Sequence, residues 1–268
     1  MSAPDNPTLR AKGIYRVWSG LPRSVRRPIS TVFDHLNLRS RLLGYMGLGR
    51  RDGFITMTPE TPPAIYECLK RTAEAGPAGD YYEFGMFRGY SFWYAQASAR
   101  RLRLDRMRFF GFDSFQGLPE PEGDESVEFA RGDYACGRAE VEGYLNKYGV
   151  DWSRTTLVEG FYNESLKPEL KAERGMRPAA VVLIDCDLYT STRDVLAFID
   201  DLLQDGTVLM FDDWNCFSGS DEAGERKAFR EYLASRPQWR AEEYISFGWH
   251  GQAFVLRAAQ DGAGAQSS

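Results

Sequence analysis

The sequence predicts an α/β protein with a doubly wound, mostly parallel sheet of seven strands that ends in an antiparallel hairpin. From residue 79 onward, short apolar runs alternate with amphipathic helical patterns, which is typical of strand–helix–strand units. The last two apolar runs are separated only by GWHG at residues 248–251, a spacing that indicates a hairpin. With 268 residues, 43% of them hydrophobic, the chain can close one large core or two small ones.

The elements follow in order along the chain. TPP at residues 61–63 opens a helix and GP at residues 76–77 ends it. The clearest helix covers residues 191–203, where apolar side chains recur every three or four positions and Gly206 stops the pattern. The expected strands are, in chain order, YYEFG, MRFFGFD, TTLVEG, AAVVLID, TVLMFDD, RAEEYISF and QAFVLRA.

Charge divides the chain into three regions. Residues 1–52 carry ten Lys or Arg against three acids, a net charge of +7, which leaves −12 on the rest of the chain. We expect a basic arm at residues 1–52, a folded domain at 53–258 and a disordered tail at 259–268. The arm is expected to pack on its own subunit or on a second copy in a homo-oligomer, with a lid or a peripheral membrane contact as alternatives. An acidic body is a poor fit to a nucleic-acid-binding surface, so no nucleic-acid partner is expected, although the arm alone could touch an anionic surface.

Composition also limits location and metal chemistry. No stretch approaches the ~18 apolar residues of a transmembrane segment and the N-terminus lacks a secretory signal, so we expect a cytoplasmic protein. The four cysteines form no CxxC pair. With only His35 and His250 as imidazoles, any metal would be held by oxygen, which favours a hard cation.

The first candidate site motif is EFGMFRG at residues 83–89. Gly85 and Gly89 lie in a strand-to-helix turn that lets a ligand approach the backbone, and the next helix begins near Ser91. Glu83 would repel a pyrophosphate but favour a cation, so the motif predicts S-adenosylmethionine rather than a dinucleotide. The alternative is a purely structural turn.

Two further strand ends complete the expected donor site. Asp113, followed by Ser114, lies 24 residues after Gly89, at a position suited to bind ribose hydroxyls. Gly160 and Phe161 end the third strand, where a small residue beside an aromatic one could flank an adenine ring. The alternative for Asp113 is a solvated loop residue, and the assignment of Gly160 and Phe161 rests on position alone.

Acidic residues follow two strands that one helix connects. Asp185 and Asp187 follow one strand, and Asp212 and Asp213 follow the next, 27 residues after Asp185. Such strands are neighbours ~4.8 Å apart, so Asp185, Asp212 and Asp213 are expected to converge on one point. Three carboxylates repel one another unless a cation lies among them, and oxygen ligands favour Mg²⁺. The alternative is that these acids cap helices and face water.

Four motifs in this order, GPAGDYYEFGMFRGYS, FDSFQGLPEP, LIDCDLYTST and FDDW, resemble the macrocin O-methyltransferase (TylF-type) family over residues 53–258. The resemblance implies a class I methyltransferase sheet, S-adenosylmethionine as methyl donor and Mg²⁺ beside it. It also implies that Asp185, Asp212 and Asp213 are metal ligands and that Asp187 is the general base. The acceptor would be a small molecule with a free hydroxyl, a sugar or a glycosylated natural product.

Three other interpretations stay open at this point. DCD could be the metal-binding motif of a nucleotide-sugar glycosyltransferase, which leaves the Glu83 turn without a purpose. LIDCD could hold the nucleophile of a haloacid dehalogenase-type phosphatase, although Tyr189 stands where Thr or Val is expected. The chain could also be an inactive binding module tethered by its basic arm. His250, in the turn of the hairpin, could reach the site but is expected to be solvated.

Overall fold

A computed structural model describes Phe54, Thr56 and residues 58–259, with the side chains of all of these except Asp124 and Val127. The predicted basic arm at 1–52 and residues 260–268 of the predicted tail lie outside the described residues. The chain divides into two compact units, Met1–Pro59 and Glu60–Ser268, and the elements below belong to the second. None of the described helices combines the length and apolar character needed to span a bilayer.

The predicted sheet is confirmed. It has seven strands in the order β3-β2-β1-β4-β5-β7-β6, of which β1 to β5 are parallel. The strands are β1 (Asp80–Phe84), β2 (Phe109–Asp113), β3 (Thr155–Glu159), β4 (Ala179–Ile184), β5 (Val208–Phe211), β6 (Trp239–Phe247) and β7 (Gly251–Ala258). The last two pair antiparallel, as GWHG predicts, and β7 adds antiparallel to β5.

In the part of the chain that the structure describes, the helices predicted after TPP, near Ser91 and at 191–203 are present, together with four others. They are α1 (Thr61–Ala75), α2 (Tyr90–Arg101), α3 (Arg138–Lys147), α4 (Tyr162–Ser165), α5 (Pro168–Glu173), α6 (Tyr189–Ile199) and α7 (Gly224–Ser235). The helix predicted at 191–203 begins two residues earlier than expected, and its last turn is a 3₁₀ helix over Asp200–Leu202. Both proline-containing starts, at α1 and α5, place proline in the first turn, where no backbone N–H is required.

Helices cover both faces of the central strands. Every residue of β1, β4 and β5 is buried. Because side chains alternate along a strand, Tyr81 meets Phe92 of α2 on one face, with ring centroids 6.4 Å apart. On the other face Phe84 stacks on Phe112 at 4.5 Å, and Phe198 of α6 packs edge-on against Phe84. The sheet is therefore a middle layer with helices packed on both of its faces.

The strand order places a switch point at the carboxyl ends of β1 and β4. The chain winds outward from β1 through β2 to β3 on one side and through β4 to β5 on the other. Phe84, Ile184 and Phe211 lie side by side in register, so the residues that follow them emerge at one edge. Ligands of open α/β sheets bind outside such an edge, where the connections diverge.

Candidate functional site

Four aspartates gather at this edge, as the sequence predicts for the strands that carry them. Burial raises the pKa of Asp185 well above its ordinary value, and Asp212, Asp213 and Asp187 raise it further. The pKa of Asp187 rises for the same reasons, burial first and then Asp213 and Asp212. The four carboxyl groups therefore lie close enough to act on one another, with Asp187 and Asp212 buried and Asp185 and Asp213 partly buried.

Asp212 is held by Thr61, which the sequence patterns did not single out as a site residue, and by His250, which they favoured as a solvated residue. The Thr61 hydroxyl, at the start of α1, donates a hydrogen bond of 2.5 Å to Asp212 Oδ1. His250 Nδ1 lies 3.6 Å from Asp212 Oδ2 and donates to the Asp212 backbone carbonyl at 2.7 Å. In the sequence, Thr61 only marks the start of a helix. Threonine is common at helix starts, so its presence there does not indicate a site.

The expectation that His250 is solvated is wrong. The side chain is 3% exposed, and its Nε2 lies 3.9 Å from Glu60 Oε2. Burial opposes the charge of His250, but Asp212, Glu60 and Asp213 outweigh it and raise the pKa to about 9. The reason is topological: β7 pairs with β5 so that Gln252 lies opposite Phe211, which brings the hairpin turn beside the acids after β5.

A fifth acid, Glu225, also belongs to the cluster. It lies in the first turn of α7, and its Oε2 accepts the backbone N–H of Asp213 at 2.9 Å. Burial raises the pKa of Glu225 well above its ordinary value, and Asp213, Asp212 and Asp187 add to the effect. Sequence patterns did not indicate Glu225 as a site residue, because acids are common in the first turn of a helix.

Asp213 Oδ2 and Glu225 Oε1 are buried, and neither has a hydrogen-bond partner among the residues that the structure describes. The other oxygen of Asp213 accepts a hydrogen bond from the Cys216 thiol at 3.4 Å. Burial and Asp212 raise the pKa of Asp213 to about 7, against a lowering by His250. Buried carboxylate oxygens without partners are costly, so the site is electrostatically short of positive charge.

A divalent cation fits these residues by charge and by ligand type. The neighbouring side chains offer carboxylate oxygens, which are the ligands that Mg²⁺ prefers, and one such oxygen of Asp213 is unsatisfied. Within residues 58–259, no three His, Cys, Asp or Glu side chains are arranged as a metal-binding group. The cluster thus has the chemistry of a magnesium site without a preassembled set of ligands.

Asp187 has an unusual backbone. Its φ of +62° is in the left-handed region, which is uncommon for a residue other than glycine. The following residue, Leu188, donates its N–H to the Cys186 carbonyl at 2.6 Å, so the chain turns sharply after β4. Strain of this kind is concentrated at functional sites. The turn places the Asp187 carboxyl group among the acids that follow β5.

The turn at residues 83–89 is closed by internal contacts. Glu83 shares the α2 face of β1 with Tyr81, and accepts hydrogen bonds of 2.6 Å from the hydroxyls of Tyr81 and Ser91. Burial raises the pKa of Glu83 to about 8, against the lowering effect of those two hydroxyls. Glu83 and Ser91 are therefore joined, and the Glu83 side chain is fully buried.

Gly85 and Gly89 both have positive φ, +91° and +78°. A Cβ atom on Gly85 would lie 1.7 Å from the backbone oxygen of Asp185. Glycine is thus required at position 85 because the ends of β1 and β4 touch. Gly89 starts α2 in a left-handed conformation, which brings Ser91 back toward Glu83.

Asp113 joins the turn at residues 83–89 to the loop after β2. Its Oδ2 accepts the N–H of Met86 at 2.7 Å and of Phe87 at 3.1 Å, and its Oδ1 accepts the N–H of Phe115 at 2.6 Å. Burial raises the pKa of Asp113, against the effect of these three N–H groups. A carboxylate has about four acceptor positions, so one remains for a ligand hydroxyl.

Ser114, Gly160 and Phe161 surround the end of β2. The Ser114 hydroxyl donates to the Gly117 carbonyl at 2.7 Å, and Gly160 donates its N–H to the Asp113 carbonyl at 3.0 Å. The ring of Phe161, just before α4, is partly exposed. The structure thus brings the three predicted strand ends, after β1, β2 and β3, to one side of the acidic cluster.

The loop at residues 119–134 is attached to the β4 end of the sheet. Its base is joined by two hydrogen bonds between Leu118 and residues 132–133, each 2.9 Å. Glu125, buried inside the loop, accepts the N–H of Tyr189 at 2.6 Å, at the start of α6. Phe129 packs against Phe217 with ring centroids 5.7 Å apart. The loop therefore borders the site on the side of Asp187.

Comparison with known proteins adds independent evidence. The family model described as Macrocin-O-methyltransferase (TylF) matches residues 59–235. An 8-demethyl-8-(2,3-dimethoxy-alpha-L-rhamnosyl)-tetracenomycin-C 4'-O-methyltransferase of Streptomyces olivaceus is 27% identical over 154 residues, which are 55% of this chain and 57% of that protein. The Mycinamicin III 3''-O-methyltransferase of Micromonospora griseorubida is 25% identical over 59% of this chain and 64% of its own length. The matches thus span less than two thirds of either relative.

The fold has a solved counterpart. The structure of the O-methyltransferase NovP superposes with a TM-score of 0.63 and 22% identity, covering 75% of this chain and 81% of NovP. At this level of identity the likeness establishes the fold only. The predicted class I methyltransferase sheet is confirmed.

Proposed function

Because the chain belongs to the macrocin O-methyltransferase (TylF) family, we propose that it is an S-adenosylmethionine- and Mg²⁺-dependent O-methyltransferase acting on a sugar hydroxyl of a glycosylated natural product. The observation that carries the proposal is the convergence of Asp185, Asp187, Asp212 and Asp213 beside the ends of β1, β2 and β3. The names of the two curated relatives, one of them a rhamnosyl-tetracenomycin methyltransferase, support the choice of acceptor.

The methyl donor is assigned to the β1–β2–β3 side of the edge. Asp113, with its remaining acceptor position, would bind the ribose hydroxyls, and the partly exposed ring of Phe161 beside Gly160 would flank the adenine. The acids after β4 would favour the positive sulfonium and amino groups of the methionine portion. Glu83 and Ser91, which are joined by a hydrogen bond, would lie next to this methionine portion.

Asp185, Asp212 and Asp213 are the residues that would hold Mg²⁺. When bound, the ion lowers the pKa of an acceptor hydroxyl, which otherwise ionises far above neutral pH. Thr61 and His250 orient Asp212, so this carboxylate is held in place before any ligand arrives. Orienting contacts of this kind are typical of metal sites.

Asp187 is proposed as the general base. Its carboxylate would take the proton of the acceptor hydroxyl while the oxygen–carbon bond forms and the carbon–sulfur bond of the sulfonium breaks, which releases S-adenosylhomocysteine. Asp187 lies among the acids that follow β5, next to the residues proposed to hold the metal. The loop at 119–134 and Phe217 would exclude water beside it.

Calorimetry with S-adenosylmethionine and S-adenosylhomocysteine tests the donor assignment. We expect micromolar binding of both. If the protein binds neither molecule, the proposed reaction is overturned and a binding module on this fold is favoured.

The predicted homo-oligomer and cytoplasmic location stay predictions.

Replacing Asp185 tests the metal assignment. We expect Asp185→Ala to abolish Mg²⁺-dependent methyl transfer, measured as S-adenosylhomocysteine release, and to leave the circular dichroism spectrum unchanged. Asp105→Ala is a matched control, because Asp105 is exposed before β2, at the opposite end of the strands. Normal methylation by Asp185→Ala in EDTA would show that the metal assignment is wrong.

A further inference from the structure

Glu225 makes an unusual use of its position in α7. An acid in the first turn of a helix ordinarily stabilises that helix through its N–H groups and dipole. The cap of α7, Ala223, makes no side-chain hydrogen bond, and Glu225 instead accepts the N–H of Asp213, in the loop after β5. The side chain thus connects α7 to the acidic cluster.

The end of β5 explains why Asp213 needs this partner. The N–H of Asp212 still continues the sheet, since it donates to the Ile184 carbonyl of β4 at 2.9 Å. One residue later the strand has ended, and the Asp213 N–H donates to Glu225 Oε2 at 2.9 Å. Glu225 therefore supplies the hydrogen-bond acceptor that the sheet no longer offers to Asp213. The carboxyl group of Asp213 is also the one with an oxygen that lacks a partner in the described residues.

The backbone fixes Glu225 in this place. Gly224 has a φ of +54°, and a Cβ atom there would lie 2.7 Å from the ring of Phe217. Phe217 packs in turn against Phe129 of the loop at 119–134. The start of α7 is thus pressed against the loop that follows β5, and Glu225 is directed toward Asp213 by the course of the chain.

Stability alone does not account for a glutamate at this position. The residue is 1% exposed and sits among Asp213, Asp212 and Asp187. Its Oε1 is buried without a hydrogen-bond partner in the described part of the chain. An apolar side chain of similar size would avoid this cost but could not accept the Asp213 N–H.

We propose that Glu225 is a positioning residue, which holds the Asp213 backbone through its N–H and thereby orients the Asp213 carboxylate toward a divalent cation. The inference rests on the proposed function, because the cation is the Mg²⁺ of the proposed reaction. Residues that orient metal ligands commonly change metal affinity by about 10–100-fold when they are replaced.

Two variants separate the hydrogen bond from the charge. Glu225→Gln keeps an oxygen that can accept the Asp213 N–H, and Glu225→Leu removes it while filling a similar volume. Mn²⁺ binding is measured by electron paramagnetic resonance with S-adenosylhomocysteine present. We expect Glu225→Leu to bind Mn²⁺ about 10–100-fold more weakly and Glu225→Gln to bind it nearly as tightly as the wild type.

A second readout does not require the metal. Amide hydrogen exchange of Asp213, followed by NMR on the metal-free protein, should accelerate in Glu225→Leu and stay slow in Glu225→Gln. S-adenosylhomocysteine affinity should be unchanged in both variants, whereas general misfolding would lower it. Glu222→Ala, an exposed acid three residues before Glu225, is the matched control and should match the wild type in each measurement.

The outcomes are distinguishable. Equal loss of Mn²⁺ affinity in both variants would show that charge, and not the hydrogen bond, is what matters, which overturns the proposal. Wild-type Mn²⁺ affinity in Glu225→Leu would overturn it as well. If the wild type itself binds no Mn²⁺, the metal part of the proposed function fails. In that case, unchanged Asp213 exchange in Glu225→Leu shows separately that Glu225 does not hold this backbone.

Discussion

Glu83 illustrates how strongly burial acts on a single residue of this site. Two hydroxyls, from Tyr81 and Ser91, donate to its carboxylate and favour the charged form. The loss of hydration outweighs them, and nearby Asp212 and Asp113 add to the shift, so the pKa is about 8 instead of the ordinary 4.5. In the ligand-free protein, Glu83 is therefore largely protonated at neutral pH.

This shift predicts a pH dependence of stability. The folded pKa lies above the unfolded one, so the contribution of Glu83 to the free energy of unfolding is fully present below 4.5 and is lost as the pH rises to about 8. Urea unfolding should show that wild-type stability falls relative to Glu83→Gln over this window, by up to about 1.4 kcal/mol per pH unit. A constant difference between the two proteins would contradict the shift.

At the scale of elements, the site depends on contact between the ends of β1 and β4. The N–H of Asp185 donates to the Phe84 carbonyl at 2.8 Å, and the backbone oxygen of Asp185 occupies the space where Gly85 would carry a side chain. The same register aligns Ile184 with Phe211, so β5 delivers its acids beside Asp185. A small change at residue 85 should therefore disturb the whole edge.

We expect Gly85→Ala to lower the free energy of unfolding by about 2–4 kcal/mol, because the new Cβ meets backbone and the φ is unfavourable for alanine. Gly143→Ala is the matched control: Gly143 lies inside α3, is exposed, and a Cβ there meets no described atom within 4 Å. That variant should be stabilised by about 0.5–1 kcal/mol. Equal stability of the two variants in urea titrations would rule out the close approach.

The loop at 119–134 depends on Glu125 for its attachment to α6. We expect Glu125→Ala to leave the Tyr189 N–H without its partner and to accelerate hydrogen exchange across residues 117–133, measured by mass spectrometry. Glu122→Ala, an exposed acid of the same loop, should leave the exchange unchanged. Wild-type protection in Glu125→Ala would show that other contacts hold the loop.

At the scale of the whole molecule, periodicity was sufficient to predict the sheet. The runs AAVVLI and VLMF contain only apolar residues, as expected for strands that are covered on both faces. They form β4 and β5. Two strands joined by one helix are usually neighbours, so the meeting of Asp185 with Asp212 and Asp213 also followed from the sequence. Local pattern and topology agree in these parts of the chain.

The remaining site residues depend on contacts between distant elements. Thr61 is 151 residues from Asp212, and His250 reaches it only because β7 inserts beside β5. Locally, a threonine at a helix start, a glutamate in a first turn and a histidine in a hairpin have ordinary structural roles. Sequence patterns therefore did not distinguish Thr61, Glu225 and His250 from such residues.

A crystal structure of the protein with S-adenosylhomocysteine and Mn²⁺, in which anomalous scattering locates the ion, tests the metal and donor assignments together. We predict one Mn²⁺ coordinated by Asp185, Asp212 and Asp213, with the sulfur of the ligand beside it and the ribose on Asp113. An ion located elsewhere, or S-adenosylhomocysteine bound away from the ends of β1 and β4, would contradict the account.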